Sequence, residues 1–339
     1  MNSKNLCLTE EKEKIGNSIY KWSEGLEKEL NVITIPWNGA DIFLKSIFKY
    51  VKENNNVLYI TDEKENVQLI ESIKKRSDYR GYTHLRDTSD NIESNLVITD
   101  YKAALNLNKK FDLVVYDEIN SMPKYDNKSI LNLLHGLSKE NGKKIFYSIE
   151  GIFKNNRDIV LPVRDRNVPM VEPRDIQTRI DINKDIPYMV YDYLKWSINN
   201  NRNVLIYVPK GDKVEKVYNY IRTYNWDKNC NISYFIKGKS DIKTMMNFYK
   251  IRNSIMITDE FRIAPPSITN TDIMVYFAND VVFNHKILTH ICSRVTRTER
   301  DSRGEVIFLY NEKNQNTEAA IDIVKNFNKE AWEMGFLKI

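Results

Sequence analysis

Cysteine is scarce in this chain: Cys7, Cys230 and Cys292 are the only three in 339 residues, and they lie far apart. They supply neither a disulfide framework nor a metal quartet. No run of eighteen apolar residues occurs, so nothing in the sequence is expected to span a membrane. The start, MNSKNLCLTEEKEK, lacks the apolar core of a secretory leader. These absences together lead us to expect a cytoplasmic protein. Charge is not strongly one-sided either. A formal net charge of +5 permits binding to a polyanion without requiring it. What is present is an ordinary apolar fraction, 42%, in a chain long enough for two domains.

The stretch Phe111–Asn120, FDLVVYDEIN, organises the rest. Leu113–Tyr116 is an unbroken apolar run, as expected of a strand buried on both faces of a parallel sheet. It runs straight into Asp117 and Glu118. Acids at the carboxyl end of such a strand stand where open α/β sheets place their ligands. One carboxylate can hold magnesium and the next can polarise a water for attack on a phosphate. A strand ending in two solvated acids fits the same ten residues.

Apolar runs alternate with helical periods along both halves. Leu8–Leu30 reads as a helix capped by Thr9, with Ile15, Ile19, Trp22, Leu26 and Leu30 on one face. Strands are expected at 31–35, 57–60, 96–99, 111–116 and 144–148, then at 203–208, 232–236, 254–258, 272–277 and 305–310. Helices fall between them. The expected fold class is therefore α/β, two domains each built on a mostly parallel sheet flanked by helices. Residues 161–173 are rich in Pro and Arg and read as the connector. This gives domains 1–173 and 174–339.

Between the first strand and its helix lies Pro36-Trp37-Asn38-Gly39-Ala40-Asp41. This is the place for a phosphate-binding loop, so Asn38, Gly39, Ala40 and Asp41 are its candidate residues. The loop has one Gly, no Lys and no hydroxyl, and an ordinary strand-to-helix turn fits it as well. In the second half, 286–297 reads as a helix ending in Arg294 and Arg297, three apart and so on one face. Arginine's planar fork suits phosphate oxygens.

The order of these motifs resembles the superfamily 2 helicases, and among them the late-competence DNA-uptake translocases of the ComFA type. Asp117-Glu118-Ile119-Asn120 followed by Met122-Pro123 resembles their DEAD-box acids. Leu161-Pro162-Val163-Arg164 resembles their inter-domain link. His290-Ile291-Cys292-Ser293-Arg294-Val295-Thr296-Arg297 resembles their arginine-bearing motif VI. The resemblance implies two RecA-like domains, ATP and Mg²⁺ as cofactors, Asp117 as the metal ligand and Glu118, Arg294 and Arg297 as its catalytic companions. It implies single-stranded DNA as the principal partner, with Tyr101, Lys102 and Arg262 as contacts, beside other competence or DNA-processing proteins. It also implies a cytoplasmic location, including the inner face of the membrane. No zinc is expected, because the family's cysteine cluster is missing.

The departures are specific. Gly39 stands where the family has its phosphate-loop Lys, and Ala40 where it has Thr. Lys12 falls where the adenine-contacting glutamine should be. The Ser-Ala-Thr motif reads Ser148-Ile149-Glu150, and Thr258–Arg262 has lost the usual threonine pair and Gly. The expectation is a helicase-fold, DNA-binding protein with impaired ATP hydrolysis. Two alternatives stand beside it: an active ATP-dependent translocase, and an interaction scaffold that binds no nucleic acid.

Overall fold

The computed structural model describes residues 8–337 apart from 64–66, 86–91, 155, 165–167, 225, 227–229, 264, 266 and 296–303. The chain divides into two compact units. The first runs to Pro169 and takes in the residues from Phe327 onward; the second is Met170–Asn326.

In the first unit the order is α1 (Leu8–Glu24), β1 (Glu29–Thr34), a 3-10 turn (Asp41–Phe43) and α2 (Leu44–Lys52). Then come β2 (Val57–Thr61), α3 (Gln68–Arg76), β3 (Tyr82–Leu85), β4 (Leu96–Thr99) and α4 (Tyr101–Ala104). The remainder is β5 (Phe111–Asp117), α5 (Asn127–Leu137), β6 (Ser138–Ser148) and β7 (Arg157–Leu161). The seven strands form one sheet in the order β3-β4-β2-β5-β6-β1-β7, every pair parallel. Helices cover the sheet, so β2 and β4 are buried at every residue and read as continuous apolar runs. Helix starts are set by side-chain caps. Asp100 accepts from the Ala103 N–H on α4, and Asp126 from the Ser129 N–H on α5.

The second unit repeats the plan: β8 (Arg174–Gln177), α6 (Tyr188–Asn199), β9 (Asn203–Tyr207), α7 (Gly211–Ile221), β10 (Asn231–Phe235) and α8 (Ile242–Phe248). It continues with β11 (Ser254–Thr258), β12 (Thr271–Tyr276), α9 (His285–Arg294), β13 (Val306–Tyr310) and the start of α10 (Gln315–Glu333), whose residues from Phe327 belong to the first unit. Its sheet is β10-β11-β9-β12-β13-β8, again all parallel. Beneath it the buried Arg202 guanidinium bridges to Asp272 at 2.8 Å, which ties the start of β9 to β12. Ser197 also donates to that carboxylate, so the buried pair is hydrogen-bonded on several sides, as burial of charge demands.

The expected two-sheet α/β class is the observed one. Three strands escaped the apolar-run reading: β3, β7 and β8. Each is an edge strand with partly exposed residues, so none carries an unbroken apolar run. The first helix is shorter than its periodicity predicts. It ends at Glu24, Leu26 is 98% exposed, and Leu30 is a buried residue of β1. Thr9 lies within its first turn rather than capping it. Helix α9 stops at Arg294; Val295 is extended and bridges to Ile268. Arg297, expected on the same helix face as Arg294, lies outside the described residues.

Candidate functional site

The site expected from sequence starts at the carboxyl end of β1. Trp37 takes a left-handed conformation, φ 64°, which turns the chain sharply there. Its N–H donates to the Ile119 carbonyl at 3.1 Å. Asn38 is buried. Its amide donates to Thr34 Oγ1 and to the Val163 carbonyl, both at 2.9 Å, and its Oδ1 accepts from the Gly39 N–H at 3.0 Å. The Tyr147 hydroxyl donates to the Gly39 carbonyl at 3.1 Å. A phosphate cradle needs outward backbone N–H groups. Here those of Trp37 and Gly39 are turned inward and bonded.

Asp41 occupies the mouth of the loop. Its Oδ2 accepts from Arg76 at 2.5 Å. A methyl group built on Gly39 would stand 2.8 Å from Asp41 Oδ1, so a longer side chain at position 39 requires Asp41 to move. The same point lies 3.9 Å from the Lys12 ammonium.

Asp117 ends β5 and is 1% exposed. Its Oδ1 accepts from the N–H groups of Ile119 and Asn120, at 2.8 and 3.2 Å. Its Oδ2 accepts from the Tyr59 hydroxyl at 2.5 Å and the Asn120 amide at 2.9 Å. A carboxylate offers about four acceptor positions, and protein donors fill them all. Burial raises the Asp117 carboxyl from its usual range while these four bonds pull it down. Burial first, and the Asp117 charge second, push the neighbouring Glu63 up to about 9. Glu118 is buried too, and its Oε2 accepts from Ser148 Oγ at 2.7 Å. Glu150 turns to Asn127, whose amide reaches its Oε1 at 3.4 Å.

The residues present do not fit a magnesium-bound nucleotide. Magnesium takes oxygen ligands in a strict octahedron. The loop has no hydroxyl to offer, and Asp117 has no acceptor position left. Among the described residues, no group of three or more His, Cys, Asp or Glu side chains could hold a metal.

The second unit holds Arg294 at 0% exposure. It donates to the Phe261 carbonyl and, at 3.2 Å, to the Tyr207 hydroxyl. The arginine expected to meet a phosphate is buried, with these two partners on β9 and the loop after β11. Arg262 is exposed, with its guanidinium 4.9 Å over the Phe261 ring and its N–H on Glu260 Oε1 at 2.6 Å. In the first unit Tyr101 is buried and stacked on Tyr125, ring centres 3.7 Å apart. Its neighbour Lys102 is exposed. Sequence reasoning missed Tyr59, Glu63 and Tyr147. Tyr59 hides inside an apolar run, and only the pairing of β2 with β5 brings it to Asp117.

A curated relative aligns over 250 residues at 22% identity: the competence protein ComFA of Streptococcus pneumoniae (strain ATCC BAA-255 / R6). The alignment takes in 70% of this chain and 57% of the relative, so the chain spans just over half the length of the protein it matches. A solved structure of a point variant of S. cerevisiae Dbp5, bound to RNA and ADP BeF3, superposes with a TM-score of 0.54 at 10% identity. The match covers 92% of this chain and 87% of that one. The chain is similar in sequence to this ComFA and shares the two-sheet fold of the Dbp5 structure. No family model matches it.

Proposed function

We propose that this ComFA-like protein binds single-stranded DNA as a helicase-derived clamp, beside competence or other DNA-processing proteins, and turns over ATP poorly or not at all. The observation that carries the reading is the site at β1 and β5. The Trp37 and Gly39 N–H groups of its loop are bonded inward, Asp41 Oδ1 crowds position 39, and four donors saturate Asp117. Phosphoryl transfer depends almost wholly on positioning and charge stabilisation by loop, lysine and metal. Without these the two acids have nothing to act on.

DNA binding is supported by the net charge of +5, by the exposed Lys102 and Arg262, and by the relative's name as a competence protein. The fold relative is printed as bound to RNA, so RNA is the natural comparison ligand. Backbone contacts dominate such binding, so affinity should fall steeply with salt. A cytoplasmic site of action fits this role.

The active-translocase reading has one observation in its favour. Ser148 of the degenerate Ser-Ile-Glu motif still donates to Glu118, keeping that motif joined to the strand-end acids. The experiment is a pair of titrations. Fluorescence anisotropy with labelled single-stranded DNA should show binding that ATP does not alter. An ATPase assay with the same DNA should stay at background. No DNA binding at low salt would sink the clamp; DNA-stimulated hydrolysis would replace it with the translocase.

A further inference from the structure

A groove of about 420 Å³ opens on the first unit between α4 and α5, and none of the strand-end acids lines it. We infer that it docks an acidic helical segment of a partner protein, which buries leucine-like side chains in the groove and sets carboxylates against its rim. This holds whether or not the chain turns over ATP.

The floor of the groove is aliphatic. Ala104, Leu133 and Leu137 are buried there. Leu105, the C-cap of α4, is 58% exposed beside them. Tyr101 is the one aromatic residue of the lining, and its ring already stacks on Tyr125. Bases bind by stacking on aromatic faces, so a floor of leucines suits an aliphatic side chain better. The lining comes from two helices and the turn after α4, with no strand edge in it. A helix laid in the groove therefore fits where an added strand does not.

Gly136 forms part of the wall near the end of α5. Glycine inside a helix is destabilising relative to alanine. Its φ is not positive, so it does not serve as a left-handed cap. A methyl group built on it would meet no atom within 4 Å. Nothing inside the chain requires a glycine at this position. What the missing side chain leaves is room in the groove for a residue from outside.

The rim is basic. Lys102 adjoins Tyr101 on α4, Lys110 donates to the Gly136 carbonyl, and Lys128 stands one turn before Asn132 on α5. All three are exposed, and among the described residues none of them forms an ion pair. The acids nearest in sequence are already engaged. Asp100 and Asp126 cap α4 and α5, and Asp112 holds Lys139 at 2.8 Å. Ammonium groups around an apolar floor are complementary to an amphipathic helix with acidic flanks.

The test is fluorescence anisotropy of the full chain with a labelled peptide that repeats Glu-Leu-Leu-Glu-Ala-Leu-Glu, beside a scrambled peptide with no apolar face. Saturable binding at micromolar peptide, weakened by salt and absent for the scrambled peptide, is expected. Gly136→Leu fills the groove and should weaken binding about tenfold or more, with a Tm no lower than the wild type because the helix loses its glycine. Leu105→Ser should weaken it about tenfold, and Lys128→Glu about threefold with a shallower salt dependence. Near-ultraviolet circular dichroism confirms that each variant is folded; if Gly136→Leu is not, Leu105→Ser decides. No binding at millimolar peptide overturns the proposal, as does equal binding of the scrambled peptide or binding that the folded variants leave unchanged. Single-stranded DNA binding should be the same in Gly136→Leu as in the wild type. Its loss would assign the groove to nucleic acid and overturn the peptide reading. A dimer seen by sedimentation in the wild type and abolished by Gly136→Leu would make the occupant a second copy, which overturns it too.

Discussion

Replacing Glu63 by Gln should make the protein more stable above neutral pH and leave it nearly unchanged near pH 5. Glu63 is packed beside Asp117, and burial together with the Asp117 charge raises its carboxyl from 4.5 to about 9. A raised acid pKa means that the folded state holds the proton more tightly than the unfolded chain does. Stability is therefore full below the unfolded value and is lost as pH climbs from about 4.5 towards about 9. At 1.36 kcal/mol per unit, the two and a half units to pH 7 set a ceiling of about 3 kcal/mol. Local relaxation and water entry reduce this, so a penalty of about 1–3 kcal/mol is expected. Gln keeps the acceptor that receives the Gln68 N–H, bonded at 3.0 Å in the wild type, and removes the titration. The assay is urea unfolding of both proteins from pH 5 to 9, read as the difference between them so that other groups cancel. The difference should grow with pH in favour of Glu63→Gln. A pH-independent difference, or a wild type more stable than the variant at pH 8, would refute the arrangement of acids described above.

Asp117→Asn should destabilise the first unit by about 2–4 kcal/mol, because asparagine keeps one acceptor oxygen and its N–H₂ then faces either the Ile119 and Asn120 N–H groups or the Tyr59 hydroxyl and Asn120 amide; urea unfolding measures it. Arg294→Ala should cost about 2–4 kcal/mol by leaving the Tyr207 hydroxyl and Phe261 carbonyl unsatisfied in the core, with lost protection in native-state hydrogen exchange confined to the second unit. Lys102→Gln and Arg262→Gln should each weaken single-stranded DNA binding uniformly across sequences and lower the salt slope by about 0.7. Ser148→Ala should cost about 1 kcal/mol through the lost bond to Glu118, with DNA affinity unchanged.

Much of the fold could be read from the chain because doubly covered parallel strands are written as apolar runs. VLYI, LVIT and SIMIT all became buried central strands. Edge strands β3, β7 and β8 have one partner and exposed residues, so their sequences do not stand out. The overlong first helix shows the limit of spacing arguments. Leu26 and Leu30 continue the period of Trp22, yet the Gly25 N–H closes back on the Trp22 carbonyl and the chain leaves the helix. The missing Lys and Thr of the loop were legible as absences. The closure of the loop by Asn38 and Asp41 was not, since it depends on partners as distant as Val163 and Arg76. The same holds for Asp117, whose Tyr59 donor comes from the neighbouring strand. The burial of Arg294 was not legible either: every residue from Lys286 to Arg294 is buried, so α9 offers no polar face in sequence to signal it.

The most direct measurement is ATP turnover by the full chain in magnesium with saturating single-stranded DNA, run beside a DNA-binding titration of the same preparation. The account predicts DNA binding that weakens with salt and turnover no greater than the no-enzyme rate. Turnover stimulated by DNA and abolished by a folded Asp117→Asn variant would contradict it and return the chain to the working motors.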